Sequence, residues 1–214
     1  MTPIVFDLDG TLVDSLPGIV AAANRLLETE GLAPLPQSQI AGFVGLGERV
    51  FLQRLIAATG LEPTGFDALL QRFLPIYEEA SQGTPLFPGV AEMLANLSEL
   101  GVPMGICTNK PSGPLKHVLD GLGIAPMFGA IVAGDSLPVR KPDPAPLFLA
   151  FEQLGATRGL YVGDSETDAE TAQRAGVPFA LYKGGIRTKP IDQIAHDLAF
   201  DRFSDVLAFY NGLA

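Results

Sequence analysis

Phe6-Asp7-Leu8-Asp9-Gly10-Thr11-Leu12-Val13-Asp14-Ser15 is the stretch on which the fold turns. It closes a short apolar run, residues 4–8, that reads as a buried strand ended by Gly10. Two carboxylates, Asp7 and Asp9, therefore stand at a strand's C-terminal end, where ligands of parallel α/β sheets bind. An Asp-Gly turn can also end a strand with no chemistry attached. The surroundings have to discriminate.

Outward from this run, residues 102–107, 130–133, 160–162 and 179–182 repeat the short apolar pattern of a buried strand. Between them, Val90, Leu94, Leu97 and Leu100 recur at helical spacing, as do Leu147, Phe151 and Leu154. Asp143 before Pro144 is a good helix cap followed by a proline at the first helical position. Strands alternating with helices predict a Rossmann-like parallel sheet covered on both faces.

Residues 15–82 break the alternation, with no convincing strand and about four helical segments. Ile19, Ala23 and Leu26 form one stripe; Phe51, Leu55 and Ala58 a second; Phe66, Leu69, Leu70, Phe73 and Tyr77 a third. Ser15 is expected to cap the first helix, Gly31 to end it, and Pro75 to kink the last. Residues 81–89, rich in Gly and Pro, read as a return linker. The expected organisation is an α/β core from residues 1–14 and 83–214, with an all-helical cap domain over 15–82. Phe200, Phe203, Leu207 and Phe209 read as packing for a final helix.

Composition excludes several partners. Lys and Arg number 14 against 24 Asp and Glu, a net charge of −10 and a pI near 4.6. That charge disfavours nucleic acid and anionic membrane surfaces. Any anionic ligand must be met by local donors or a metal, since the global field repels it. One cysteine, Cys107, rules out an internal disulfide, and two histidines leave little for a His-based metal site. With no signal-peptide pattern and no membrane-length apolar run, a cytoplasmic protein is expected. Oligomeric state is not readable at this stage.

Three later segments carry chemistry. Thr108 follows the run 102–107, so its hydroxyl can emerge at a sheet edge and, with the N–H of Asn109, bond phosphoryl oxygens. Lys141 stands before Pro142 and a helix start. Asp164 and Asp168 follow the run 160–162 at a four-residue spacing, which on a helical turn puts two like charges on one face. A hard divalent cation such as Mg²⁺, which prefers carboxylate oxygens, would account for them.

Taken together, Asp7-Leu8-Asp9-Gly10-Thr11, Thr108-Asn109, Lys141-Pro142 and Gly163-Asp164-Ser165-Glu166-Thr167-Asp168 resemble the four motifs of the haloacid dehalogenase superfamily of phosphohydrolases, in order. The likeness spans the chain, helical insertion included. It implies an Asp7 nucleophile forming an aspartyl-phosphate, and Asp9 as acid and then base. It also implies Mg²⁺ held by Asp7, the Asp9 carbonyl and Asp164, with Asp168 orienting the metal's waters or Lys141. Gly10, Thr108, Asn109 and Lys141 would bind phosphate, Lys141 neutralising charge on the transferring group. An acid at Asp9 separates the chain from dehalogenases, and a cap segment without lysine separates it from phosphonatases.

Thr108-Asn109-Lys110-Pro111, the cap run Phe43-Val44-Gly45-Leu46-Gly47 and the fourth motif are similar to the phosphoglycolate phosphatase subgroup. That likeness implies a small phosphorylated metabolite, with 2-phosphoglycolate preferred. Gly45 and Gly47 would form a tight cap loop near the site, and Arg49 could meet a substrate carboxylate bidentately. Lys110 and Arg140 have similar or weaker claims. The alternatives are a phosphatase of sugar phosphates or nucleotides, more remotely a β-phosphoglucomutase, and outside catalysis a phosphorylated switch or a binding protein.

Overall fold

A computed structural model describes residues 1–61 and 65–213. Six parallel strands form one sheet in the order β3-β2-β1-β4-β5-β6. They are β1 (Ile4–Phe6), β2 (Met104–Cys107), β3 (Ala130–Val132), β4 (Leu160–Gly163), β5 (Phe179–Tyr182) and β6 (Leu198–Phe200). The first five fall where short, continuous apolar runs place them, because strands covered on both faces need no polar alternation. β6 departs from the sequence reading. Phe200 belongs to this edge strand, Ala199 pairing with Leu181 and Phe200 with Tyr182, while its ring packs in the core cluster that holds Val206 and Tyr210 of the final helix.

The pleat divides the core in two. Ile4 and Phe6 point into a cluster with α5 (Val90–Glu99), α6 (Ser112–Leu122) and α9 (Ser204–Leu213). Val5, between them, points the other way, toward α7 (Ala145–Gln153) and α8 (Glu166–Ala175). Helices thus cover both faces of a parallel sheet. Asp143 helps start α7 as its sequence suggests, its Oδ1 accepting from the Ala145 N–H at 2.9 Å, although the helix begins one residue after Pro144.

Between β1 and α5 lie α1 (Leu16–Thr29), α2 (Gln37–Ala41), α3 (Glu48–Thr59) and α4 (Phe66–Ala80). They gather around an apolar cluster of their own that includes Leu26, Phe51, Leu55, Leu69, Phe73 and Tyr77. Phe51, Phe73 and Tyr77 stack in succession, with ring centroids 5.5 and 5.6 Å apart. α4 continues through Pro75. Ser15 precedes α1 but does not cap it with its side chain. Its backbone is already near-helical (φ −87°, ψ −13°), whereas a capping residue is normally extended. Among the described residues, no helix is long and apolar enough to cross a membrane.

Candidate active site

Sheet register assembles the site. Phe6 of β1 pairs with Ile106 on one side and Val162 on the other. One or two residues further along, Asp7, Thr108 and Asp164 emerge together at the carboxyl edge. In this strand order the edge beside β1 is where the chain's path across the sheet reverses, the usual crevice for a ligand. A cavity of about 60 Å³ opens there, lined by these residues and by Asp9, Asn109, Lys110, Lys141 and Asp168 from the sheet side. Gly45, Gly47, Glu48, Phe51, Phe73 and Tyr77 from the helical segment close the opposite wall.

Asp7, Asp164 and Asp168 are all buried, with carboxylate oxygens within 4.8 Å of one another. Their surroundings differ, and so does what each can do. Asp168 is saturated. Its Oδ1 accepts from Lys141 Nζ at 2.7 Å and from the Tyr161 hydroxyl at 2.9 Å. Its Oδ2 accepts from the backbone N–H groups of Asp164 and Ser165 and from the Ser165 hydroxyl. Burial by itself would raise its pKa, but Lys141 and these hydrogen bonds outweigh burial and hold it below the ordinary value.

The four-residue spacing of Asp164 and Asp168 therefore has another meaning than two charges on one helical face. Asp164 precedes α8, while Asp168 is the third residue of that helix and forms a reciprocal capping box with Ser165. The like charges are separated by the turn into the helix. Lys141 answers one of them.

Asp7 is less well satisfied. Its Oδ1 lies 3.0 Å from Lys141 Nζ, yet this buried oxygen makes no hydrogen bond of good geometry. Burial pushes the Asp7 pKa up to about 7, against the opposing pull of Lys141. Asp164 is pushed well above its usual value, first by burial and then by its acidic neighbours. Thr11 Oγ1 donates to Asp164 Oδ1 at 2.7 Å and the Ile186 N–H to its Oδ2 at 2.5 Å. Two buried carboxylates that cost free energy to ionise, one with an unbonded oxygen, form a donor set suited to a hard divalent cation. Lys141 cannot serve both. Burial would lower its pKa, but Asp168 and then Asp7 keep it raised and the ammonium charged.

Other expected residues separate into those that could face a phosphoryl group and those that hold the site's shape. Thr108 Oγ1 accepts from the Lys110 N–H at 3.2 Å, which leaves its own hydroxyl proton to donate. The N–H groups of Leu8, Asp9 and Asn109 donate to no backbone carbonyl among the described residues. The Asn109 side chain, by contrast, is a strut. Its Oδ1 and Nδ2 hold the Lys141 backbone at 3.0 Å each, and Nδ2 also reaches the Gly45 carbonyl at 2.8 Å.

Gly10 does not match the phosphate-donor expectation, since its N–H is spent on the Val13 carbonyl at 3.0 Å. Its φ is +82°, and a Cβ there would run into the Asp164 carboxylate and the Ile186 N–H. Glycine at this position lets the loop pass close to the acidic cluster.

In the helical segment, Gly45 and Gly47 reach the cavity wall as expected. Arg49 does not. It lies one position past Glu48 on α3, about 100° further around the helix, and its half-exposed guanidinium bonds Asp67 at 3.0 Å. It also covers the Phe66 ring, 4.8 Å from the centroid. Glu48 faces inward instead, receiving both Arg140 Nη atoms at 2.8 Å. A second contact was not anticipated: Lys110 Nζ bonds Tyr77 Oη at 2.5 Å and both Asp9 oxygens at 3.1 and 3.3 Å. The signal for Tyr77 was slight, a hydroxyl in an otherwise apolar stripe that needs a partner when buried.

Fold and site together define a doubly wound α/β protein with a lysine-braced acidic cluster at the carboxyl edge of its parallel sheet. The chain belongs to the haloacid dehalogenase-like hydrolases, whose family model matches residues 4–182. Similar proteins include a phosphoglycolate phosphatase of Rhodobacter capsulatus, 41% identical and covering 98% of this chain and 96% of that one. Another, from Cereibacter sphaeroides (strain ATCC 17029), is 44% identical over 96% of each chain. Among solved structures, a predicted phosphoglycolate phosphatase from Haemophilus somnus 129PT superposes with a TM-score of 0.92. It is 32% identical, with 98% of this chain and 97% of that one covered.

Proposed function

We propose that the protein is a Mg²⁺-dependent phosphatase of small metabolites, with 2-phosphoglycolate as its preferred substrate. The observation that carries this reading is the unsatisfied Asp7 carboxylate beside Asp164 and Lys141 at the carboxyl edge of the sheet. Names of full-length relatives supply the substrate. Asp7, Asp164 and the backbone carbonyl of Asp9 would hold Mg²⁺, which when bound screens the nucleophile from an anionic substrate and stabilises charge on phosphoryl oxygens.

Asp7 attacks phosphorus while Asp9 gives its proton to the leaving oxygen, so an alcohol departs and an aspartyl-phosphate remains. Asp9, now a carboxylate, takes a proton from water as that water attacks phosphorus. Inorganic phosphate leaves and Asp7 is restored. Lys141, fixed by Asp168 and Tyr161, together with the Thr108 hydroxyl and the N–H groups of Leu8, Asp9 and Asn109, compensates charge on the transferring group.

Residues 15–82 act as a cap over the core formed by 1–14 and 83–214. Their side chains form the wall of the cavity opposite the sheet edge, and a helical lid so placed would keep water from the reacting group and favour small substrates over phosphorylated proteins. Cytoplasmic residence fits the single, buried, free thiol of Cys107.

Phosphate release from a panel of small esters tests the assignment. Activity should require Mg²⁺, favour 2-phosphoglycolate over sugar phosphates, and vanish in Asp7→Asn. Equal rates across the panel would remove the substrate assignment, and wild-type turnover by Asp7→Asn would remove the nucleophile.

A further inference from the structure

A phosphatase selective for 2-phosphoglycolate must recognise a carboxylate as well as a phosphate, and the cavity wall offers few cations to do so. Lys141 is committed to Asp168, Tyr161 and Asp7 on the nucleophile's side. Both Arg140 Nη atoms are taken by Glu48, and Arg49 lies on the surface against Asp67. Arg187 is bonded to the carbonyls of Tyr182 and Lys183. Lys110 remains. Its side chain is 1% exposed and it lines the cavity.

We propose that Lys110, positioned by Tyr77 of α4, is the residue that reads the substrate carboxylate. The inference rests on the phosphoglycolate assignment above and deepens it. Its ground is the place of Lys110 Nζ, 3.1 and 3.3 Å from the two oxygens of Asp9, the group that meets the leaving oxygen. In 2-phosphoglycolate a single methylene separates that oxygen from the carboxyl carbon, so the nearer carboxylate oxygen lies about 3 Å from it. A substrate whose leaving oxygen touches Asp9 therefore brings its carboxylate within reach of this ammonium. No other cation lining the cavity among the described residues sits on that side.

Tyr77 fixes the ammonium from above. Its Oη accepts at 2.5 Å and its ring centroid lies 4.4 Å from Nζ. Three donors on one ammonium can serve Tyr77, Asp9 and a substrate oxygen together. A buried ammonium that finds a carboxylate gains far more than an exposed one, because water competes with it less. Since Tyr77 comes from the helical segment and Lys110 from the sheet edge, the reader is complete only when the two are packed together. A neutral ester of the same size would find no partner there.

The test compares kcat/KM for 2-phosphoglycolate and ethyl phosphate, an ester of similar size without the carboxylate, in wild type, Lys110→Gln and Tyr77→Phe. Lys110 touches Asp9, so both rates can fall; the ratio between the substrates is the readout. The ratio should collapse by roughly 30-fold in Lys110→Gln, the range for one charge-assisted contact, chiefly through KM for 2-phosphoglycolate. Tyr77→Phe, which deletes a single hydroxyl and should keep the fold, should lower the ratio a few-fold. An equal loss on both esters would mean that Lys110 serves only to place Asp9, and overturns the proposal. A ratio that survives in both variants overturns it as well, while leaving the phosphoglycolate assignment intact. A wild type with no preference for the carboxylate ester overturns that assignment, and the reader with it.

Discussion

Asp168 and Arg49 show how little a charge says before its neighbours are known. Asp168 is fully buried and fills its acceptor capacity with Lys141, Tyr161, Ser165 and the Asp164 N–H. Breaking a buried pair by neutralising one member strands the other charge and typically costs about 3 kcal/mol. Asp168→Asn should therefore lower thermal stability by about that amount. It should also cut turnover about 10–100-fold, as expected when a group that orients a catalytic residue is lost. Arg49→Ala should change stability by no more than about 0.5 kcal/mol, the scale of an exposed pair, and leave KM for 2-phosphoglycolate unaltered. Calorimetry and steady-state kinetics on the two variants decide the matter; a raised KM in Arg49→Ala would return Arg49 to the site.

At the scale of elements, the loop from Val44 to Glu48 joins the helical segment to the sheet edge. Asn109 holds the Gly45 carbonyl and Arg140 holds Glu48 with two bonds, each flanking a residue of the active cluster in sequence. Gly47 sits at φ +85° where a Cβ would strike the Arg140 guanidinium, so the pair can close only over glycine. Glu48 and Arg140 side chains are 9% and 26% exposed, and a bidentate pair so placed should couple by about 1–2 kcal/mol. A double-mutant cycle on Glu48→Gln and Arg140→Gln, followed by thermal unfolding, measures this directly. Strict additivity would show that the loop is held by something else.

The same loop marks where sequence reading stops. Asp7, Asp9, Thr108 and Asp164 were legible because each follows a strand-like run, and strand ends in a parallel sheet share one edge; Lys141, in the loop before α7, was legible only through the family resemblance. Gly45 and Gly47 were legible through the likeness of the run Phe43-Val44-Gly45-Leu46-Gly47 to the phosphoglycolate phosphatase subgroup, since two such glycines would equally suit a turn that ends a helix. Glu48 in place of Arg49 was not, since one residue along a helix turns the side chain from cavity to solvent. Lys110 and Tyr77 meet across 33 residues of chain, a pairing that no local period encodes. β6 is only Leu198–Phe200, half-buried at two positions and flanked by Asp197 and Asp201, and its Phe200 reads equally well as part of the aromatic stripe leading into the last helix.

For the whole molecule, the net charge of −10 matters less than the acidic residues folding has buried. Asp7 carries a pKa raised to about 7, and Asp164 is also raised by burial. An acid whose pKa is higher in the folded than in the unfolded chain binds protons more tightly when folded. Its contribution to stability is complete below the unfolded value near 3.8 and is lost as pH rises through the folded value near 7. Asp168, lowered by Lys141, works in the opposite sense but below 3.8, outside this window. With metal chelated, the midpoint of thermal unfolding should therefore fall between pH 5 and pH 8. A divalent cation competes with those protons, so the stabilisation by a fixed Mg²⁺ concentration should grow over the same interval. Surface repulsion in an acidic chain also rises with pH, and Asp164→Asn separates the two causes. That variant removes a buried titrating carboxylate while changing the net charge by a single unit, so both the fall in the chelated protein and the Mg²⁺ response should shrink markedly. A chelated wild type that grows more stable from pH 5 to pH 8 would show that the cluster folds with its carboxylates already ionised, and that Lys141 alone suffices to hold them.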